Sequence, residues 1–475
     1  MRTTSGSHAQ LFALEPATVR CPYAALADLR SEPVRYVPGL AAFVVSGHSE
    51  VLQVLADQEQ WSSRNPTGPS SATGLARRIQ ADEIDLGALP PGQQAQLQAL
   101  ARRRAAVASA PALISADPPL HAEQRTLVEQ LFTPDRLAVI EPFAHAVAEE
   151  LVGVLAKHTS AELIAALCRP LPVRVVARLL GLDDADPEVL QRWSDAHLRA
   201  VGTDVPEAEG LLEMFQAISD SYDWLTARLE KASESASDDF VSRVAAYCPN
   251  ARPVQLPERL QILTQLMVAG QRTTTNALAA AALRIAVIPG LESRLRDDMS
   301  RLPEFVDEVL RLEPPSTGLY RLATRSTRLG GVDVPAGSYA FISYHAANLD
   351  PDGFAAPEEL RFDRPDKPRH LSFGGGPHRC PAEPLARLMV TAALEQLLRQ
   401  VSDLRLAVEP QELTYHPSWA IRGPVSLPML FNRATAPVDG VTQAEHRPMV
   451  VDRVSLAADR IIEVVLSSPS GQDLP

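Results

Sequence analysis

The run Phe373-Gly374-Gly375-Gly376-Pro377-His378-Arg379-Cys380-Pro381-Ala382 sets a lone cysteine at the mouth of a helix, behind a glycine-rich turn. Three successive glycines let the backbone double back and aim N–H groups at one sulfur, a path that side-chain-bearing residues follow only at a cost. Pro381 suits the first position of a helix, and Glu383 to Val401 has the spacing of an amphipathic one. The positive end of that helix is expected to lower the pKa of the Cys380 thiol. Such a sulfur is held bare and charged, as a metal ligand must be. A zinc site is poorly served, because His378 and Cys380 supply two ligands and no Cys-x-x-Cys pair occurs to complete a tetrahedron. A haem iron fits better, since a thiolate axial ligand pushes electron density onto iron and favours O–O cleavage.

Composition narrows the rest. At 475 residues the chain can hold one large domain or two to three ordinary ones, and 45% apolar residues suffice for a sizeable core. Cys21, Cys168, Cys248 and Cys380 are too scattered for a disulfide framework, which points to a reducing cytoplasm. A net charge of −13 argues against nucleic acid as a partner. Met1 to Gln10 is polar and no early stretch approaches the roughly 20 apolar residues of a membrane span, so no membrane anchor is expected.

Helical patterns dominate, with strands in small groups. Ala24–Leu29 reads as a helix, Val34–Val37 and Ala42–Val45 as a hairpin split by Pro38-Gly39, and Ser49–Leu55 as a helix again. From Ser62 to Ala116, Pro, Gly, Ser and Ala crowd together and read as a long loop, either a lid or a solvated insertion. Asp117-Pro118-Pro119 marks a helix start, and helices run on to about Pro289. Leu329–Phe341 and Leu404–Leu430 read as short strands. No internal linker is evident, which gives one domain over 21–432, an N-terminal segment 1–20 and a C-terminal extension 433–475. In that extension Val450, Val454, Ile461 and Val465 fall near helical spacing, as a helix packed on the body or a partner surface.

The frame F-G-x-G-x-H-x-C resembles the cysteine loop of the cytochrome P450 family, the haem-thiolate monooxygenases. Other landmarks follow in order. His121-Ala122-Glu123-Gln124-Arg125 places two basic residues one helical turn apart, between Asp117-Pro118-Pro119 and Phe132-Thr133-Pro134. The resemblance implies that His121 and Arg125, with Arg321 and His378, receive the haem propionates, and that Phe373, Gly374 and Ala382 border the cofactor. Glu308-Val309-Leu310-Arg311 matches the family's E-x-x-R pair, locked by an arginine ahead of the cysteine loop. Arg364 is the candidate for that arginine, with Arg361 as the alternative.

Leu266 to Asn276 resembles the family's oxygen-side helix. Ala269 and Gly270 leave room beside the iron, and Thr273 holds the position of a proton-delivering hydroxyl whose bond to the i−4 carbonyl loosens the turn. Arg272 departs from the family, which places Asp or Glu there; a guanidinium donates only and cannot shuttle protons. Three courses stay open. Thr273 and water deliver protons without the acid, Arg272 turns outward onto a structural carboxylate, or Arg272 clamps a substrate carboxylate with peroxide as oxidant. Ala382, where glycine is usual, and Met389, where glutamate is common, are smaller departures.

The resemblance covers about Cys21 to Phe431. It implies a mainly α fold with small β-sheets, a triangular helix-rich single domain, and haem b as cofactor. The implied reaction inserts one atom of O₂ into a small organic substrate, as hydroxylation or epoxidation in bacterial secondary metabolism, with electrons from a ferredoxin and its reductase. Substrate contacts are expected from Ser62–Ala116, Leu171–Leu229, Ser316–Tyr320 and Trp419–Arg422. A peroxide-driven or O₂-independent rearrangement or dehydration, and a non-catalytic haem-binding or docking protein, are the alternatives.

Overall fold

Thirty-two residues, Leu256–Val287, form one helix through the middle of the molecule, and twenty of its side chains are buried. Such a helix has almost no solvent face, and its sequence explains that: apolar residues and Ala occur all round it, with no run of charges. The computed structural model describes residues 6–68, 71–199, 201, 205–234, 239–364 and 370–434, and the backbone of 450–455 and 463–467. Two apolar cores meet on the central helix. Its C-terminal half packs with helices Pro134–Leu155, Leu302–Leu312 and Glu383–Gln400, around Phe305, Leu394 and Leu163. Its N-terminal half packs with Ala72–Gln80, Pro91–Ala108 and Ala208–Ser233, around Leu75, Leu97 and Phe215.

Strands are few and short. β1 (Val34–Val37), β2 (Ala42–Val45), β3 (Trp61–Ser62), β5 (Gly318–Ala323) and β8 (Tyr339–Ser343) make one sheet in the order β1-β2-β8-β5-β3. β1 and β2 pair antiparallel as the expected hairpin. β4 (Ser160–Glu162), β9 (Val401–Leu406) and β10 (Pro428–Arg433) make a second sheet, and β6 (Thr327–Leu329) pairs with β7 (Val332–Val334). Among the described residues no single helix is long and apolar enough to cross a membrane.

Three expectations are corrected. The Ser62–Ala116 segment is largely helical: Ala72–Gln80 and Pro91–Ala108 are helices whose Leu75, Ile79, Leu97 and Val107 are buried. In the extension the chain forms two strands, β11 (Val450–Ser455) and β12 (Glu463–Ser467), paired antiparallel with a register shift between Val451 and Arg453. Val450-Val451 and Val464-Val465 are β-branched pairs, which favour extended backbone over the helix that the spacing suggests; Ile461 lies outside the described residues. The cysteine helix begins at Glu383 with Ala382 as its N-cap, so Pro381 precedes the helix and Pro384 takes the early helical position.

Glu308 anchors the region beneath the cysteine loop. Its carboxylate accepts from Arg311 Nε at 2.9 Å and Nη2 at 3.0 Å, from Arg364 Nε at 2.8 Å and from the Arg361 backbone N–H at 2.9 Å. Arg361 thus contributes its backbone, and Arg364 its side chain. Burial pushes the Glu308 carboxyl up, but the hydrogen bond and charge of Arg311, with Arg361 and Arg364, hold it below the usual range. The remaining guanidinium N–H groups serve carbonyls of the loop: Asn348 and Glu359 from Arg311, Ala356 and Glu359 from Arg364. Removing one partner strands a buried charge, so Glu308→Gln is expected to destabilise the protein by about 3–5 kcal/mol. Denaturant unfolding monitored by circular dichroism checks this; a loss under about 1 kcal/mol makes the cluster dispensable.

Candidate active site

Gly374 and Gly376 sit at φ +68° and +61°, in the left-handed region, and a β-carbon on Gly376 would lie 2.1 Å from the Leu55 carbonyl oxygen. Here the glycines are required by conformation and by a neighbouring backbone. The loop closes when the Cys380 N–H donates to the Phe373 carbonyl at 2.8 Å and the Arg379 N–H to that of Gly376 at 3.0 Å. Arg387 fastens it from below, on Asp307 at 2.6 Å and over the Phe373 ring at 4.9 Å.

The backbone N–H groups of Ala382 and Glu383, at the helix start, hydrogen-bond to the Cys380 sulfur and pull its pKa down. Their pull is outweighed. Burial raises the thiol's pKa, the Glu383 charge adds to it, and the two N–H groups with Arg125 only partly offset them. On these groups alone the helix end does not bring the thiol below its ordinary range. Cys380 is half-buried and lines a cavity of ≈ 450 Å³.

His121, Arg125, Arg321 and His378 line the same cavity. The rings of His121 and His378 stack with centroids 3.8 Å apart, and His378 Nε2 lies 3.0 Å from Ser63 Oγ. Burial first, then His121, Arg321 and Arg125, push His378 down to about 3. Burial and the same two arginines lower His121. Arg125 reaches the Arg379 carbonyl at 2.5 Å and Glu129 at 2.7 Å. Arg321 is buried, and its one hydrogen bond among the described residues goes to the Tyr320 carbonyl at 2.9 Å. Crowded basic groups facing a cavity with no acid on its wall among the described residues suit an anion.

A further wall is the central helix. Ala269, mid-helix yet exposed, faces the cavity with Gly270 and Thr273. A β-carbon on Gly270 would meet Val176 Cγ2 at 2.8 Å, so a side chain there would displace Val176. Thr273 Oγ1 donates to the Ala269 carbonyl at 2.6 Å, the expected i−4 back-bond. Ala382 and Met389 line the cavity as well.

Arg272 is the exception. It does not line the cavity; its Nη2 donates to Asp195 at 2.8 Å and its Nη1 lies 3.1 Å from His416 Nε2. Burial first, then Arg272, push His416 down to about 4. Of the three courses open to Arg272 the structure has the outward one, onto a carboxylate of helix Pro187–Leu198. Nothing in the sequence points to that partner, 77 residues away. Arg272→Glu would set two carboxylates together and is expected to cost about 0.5–1 kcal/mol, a shift of a few degrees in Tm at most. The charge-swapped pair Arg272→Glu with Asp195→Arg should recover it in a thermal melt; no recovery removes the pair as a contact of consequence.

Of the expected substrate segments, Asn65–Ser115, Val176–Val201 and Pro315–Arg321 contribute lining residues. Helix Ala208–Ser233 and Trp419–Arg422 do not line this cavity. Arg422 instead pairs with the buried Glu313 at 2.5 Å, beside Arg284.

A helix-rich fold, a cysteine presented by a glycine loop and a rim of basic groups define a haem-thiolate protein. The donor set fits the group: one soft sulfur for iron, and cations for two propionates. Comparison with known proteins agrees. The family model described as Cytochrome P450 matches residues 250–404. The chain is 33% identical over 322 residues to mycinamicin IV hydroxylase/epoxidase of Micromonospora griseorubida, covering 67% of this chain and 79% of that protein. It is 31% identical over 326 residues to cytochrome P450 monooxygenase PikC of Streptomyces venezuelae, covering 68% and 76%. The solved structure of cytochrome P450 CYP109Q5 from Chondromyces apiculatus superposes with a TM-score of 0.73 at 27% identity, over 89% of this chain and 98% of that one. The chain belongs to the cytochrome P450 family. It is an oxidoreductase of the monooxygenase type, with haem b held through a cysteine thiolate.

Proposed function

We propose that this monooxygenase modifies a small organic molecule as a tailoring step in bacterial secondary metabolism, with Cys380 as the ligand to the haem iron and electrons from a separate cytoplasmic ferredoxin and its reductase. The observation that carries the residue assignment is a single cavity on which Cys380, the four basic groups and Ala269-Gly270-Thr273 converge. Haem b, when bound, supplies the activation of O₂ and the insertion of one oxygen atom into a C–H or C=C bond. The chain supplies the setting. Cys380 would hold the iron, steadied by the Ala382 and Glu383 N–H groups. Arg125, Arg321, His121 and His378 would take the propionates. Phe373 and Gly374 border the sulfur's side of the cavity, and Ala269 with Gly270 keeps the other helix surface small. Thr273 holds a proton at Oγ1, in a hydrogen bond it can exchange for one to water. The relatives' names, a hydroxylase/epoxidase and a monooxygenase, support insertion chemistry.

The outward pairing of Arg272 removes the reason for preferring peroxide, because the guanidinium that was to clamp a substrate acid beside Thr273 is engaged with Asp195. Haem-loaded protein with ferredoxin, reductase, NAD(P)H and a substrate panel should give product only when reductant is present. Equal product from peroxide alone, or without any reductant, would replace this reading with one of the other two chemistries.

A further inference from the structure

Four arginines line the cavity, Arg77, Arg104, Arg125 and Arg321, and among the described residues no aspartate or glutamate does. On the haem reading, two propionates account for Arg125 and Arg321. Arg77 and Arg104 remain as surplus positive charge. Neighbouring arginines of helix Pro91–Ala108 have different partners here. Arg103 makes a two-pronged ion pair with Asp223, at 2.5 and 2.9 Å. Arg104 turns to the cavity and finds neutral groups: the Tyr222 hydroxyl, and Thr73 Oγ1 at 3.1 Å. Its Nε is buried without a hydrogen-bond partner. His197, on the same wall, is no counter-ion either; burial first and the Arg104 charge second hold it neutral. Arg77, on the helix that carries Thr73, is an exposed residue at the cavity edge and has no ion-pair partner among the described residues.

Arg104 is half-buried with its Nε cut off from any partner, and a carboxylate in its fork would supply charge-assisted hydrogen bonds that the neutral groups do not. Leu113, Ile114, Val176 and Leu180 give the same cavity an apolar stretch of wall. We propose that Arg104, assisted by Arg77, anchors a carboxylate of the substrate, so that this enzyme oxidises organic acids with an apolar body held across the cavity. The proposal rests on the haem reading and deepens it.

Imidazolyl-alkanoic acids of graded chain length test it, each beside its primary amide, with binding read from the red shift that an azole nitrogen causes in the Soret band. Plain imidazole is the control for the haem. At the chain length that reaches Arg104, the acid is expected to bind at least about tenfold tighter than its amide. Arg104→Gln should abolish that preference and leave plain imidazole binding unchanged. Equal binding of acid and amide at every length, or a preference that survives Arg104→Gln, overturns the anchor and leaves the haem reading intact. No shift with imidazole itself overturns the haem reading and the anchor with it. Should Arg104→Gln not fold, Arg104→Lys is read instead; it keeps the charge but loses the two-pronged geometry, and the preference should shrink.

Discussion

Cys380→Ser abolishes the red-shifted, thiolate-type Soret band of the ferrous–CO form, and turnover falls below detection. The reason is local. Serine has nearly the shape of cysteine, and the bonds that build the loop are backbone ones, Cys380 N–H to Phe373 and Arg379 N–H to Gly376, so the loop survives the change. What is lost is the soft, charged donor. Burial already disfavours charge at this position even for a thiol, and two N–H groups with Arg125 do not reverse it. A hydroxyl is far harder to ionise, so the variant presents a neutral oxygen where iron needs an anionic sulfur. The CO difference spectrum of reduced protein decides it. A thiolate-type band that persists in Cys380→Ser would move the ligand to another residue.

How far the sequence reached depended on whether a feature was local. The cysteine loop was legible because its chemistry is written in consecutive residues: glycines with positive φ, a basic residue, a sulfur and a helix start. The Glu308–Arg311 pair was legible as i, i+3 spacing, and its burial came from context. Arg364, expected from its place ahead of the cysteine loop, donates its side chain to Glu308. The partners of Arg272 were not legible. Asp195 and His416 come from segments 77 and 144 residues away, and neither stands in a pattern of its own.

The 62–116 segment shows the opposite failure, a local signal read wrongly. Its Pro, Gly, Ser and Ala content suggested a loop, but the stretch after Pro90-Pro91-Gly92 is Gln, Ala, Leu and Arg, strong helix formers with prolines at the start. Composition averaged over fifty residues hid an 18-residue helix within it. Its consequence is chemical, because that helix carries Arg104 into the cavity. The tail failed through period: four valine and isoleucine positions matched a helix, while adjacent β-branched pairs favoured strands.

Thr273→Ala is the sharper test of how this site handles protons. With Arg272 committed to Asp195 and no carboxylate on the cavity wall among the described residues, proton transfer falls to hydroxyls and water. Thr273 is the one placed for it within the Ala269-Gly270 turn. Its Oγ1 donates to the Ala269 carbonyl at 2.6 Å, leaving two lone pairs toward the cavity and a proton that can be handed on when a water takes over that bond. Alanine removes the proton carrier without enlarging the contacts that hold substrate. Product formed per NAD(P)H consumed should therefore fall on the order of 10²-fold, the contribution of one positioned acid. The substrate-induced Soret shift should stay within about twofold in affinity, and Thr273→Ser should restore most of the yield. Unchanged coupling in Thr273→Ala would mean that water alone suffices, or that a group beyond the cavity wall supplies the proton. A parallel loss in Thr273→Ser would instead make the methyl group's packing the cause, because serine keeps the hydroxyl and gives up only that carbon.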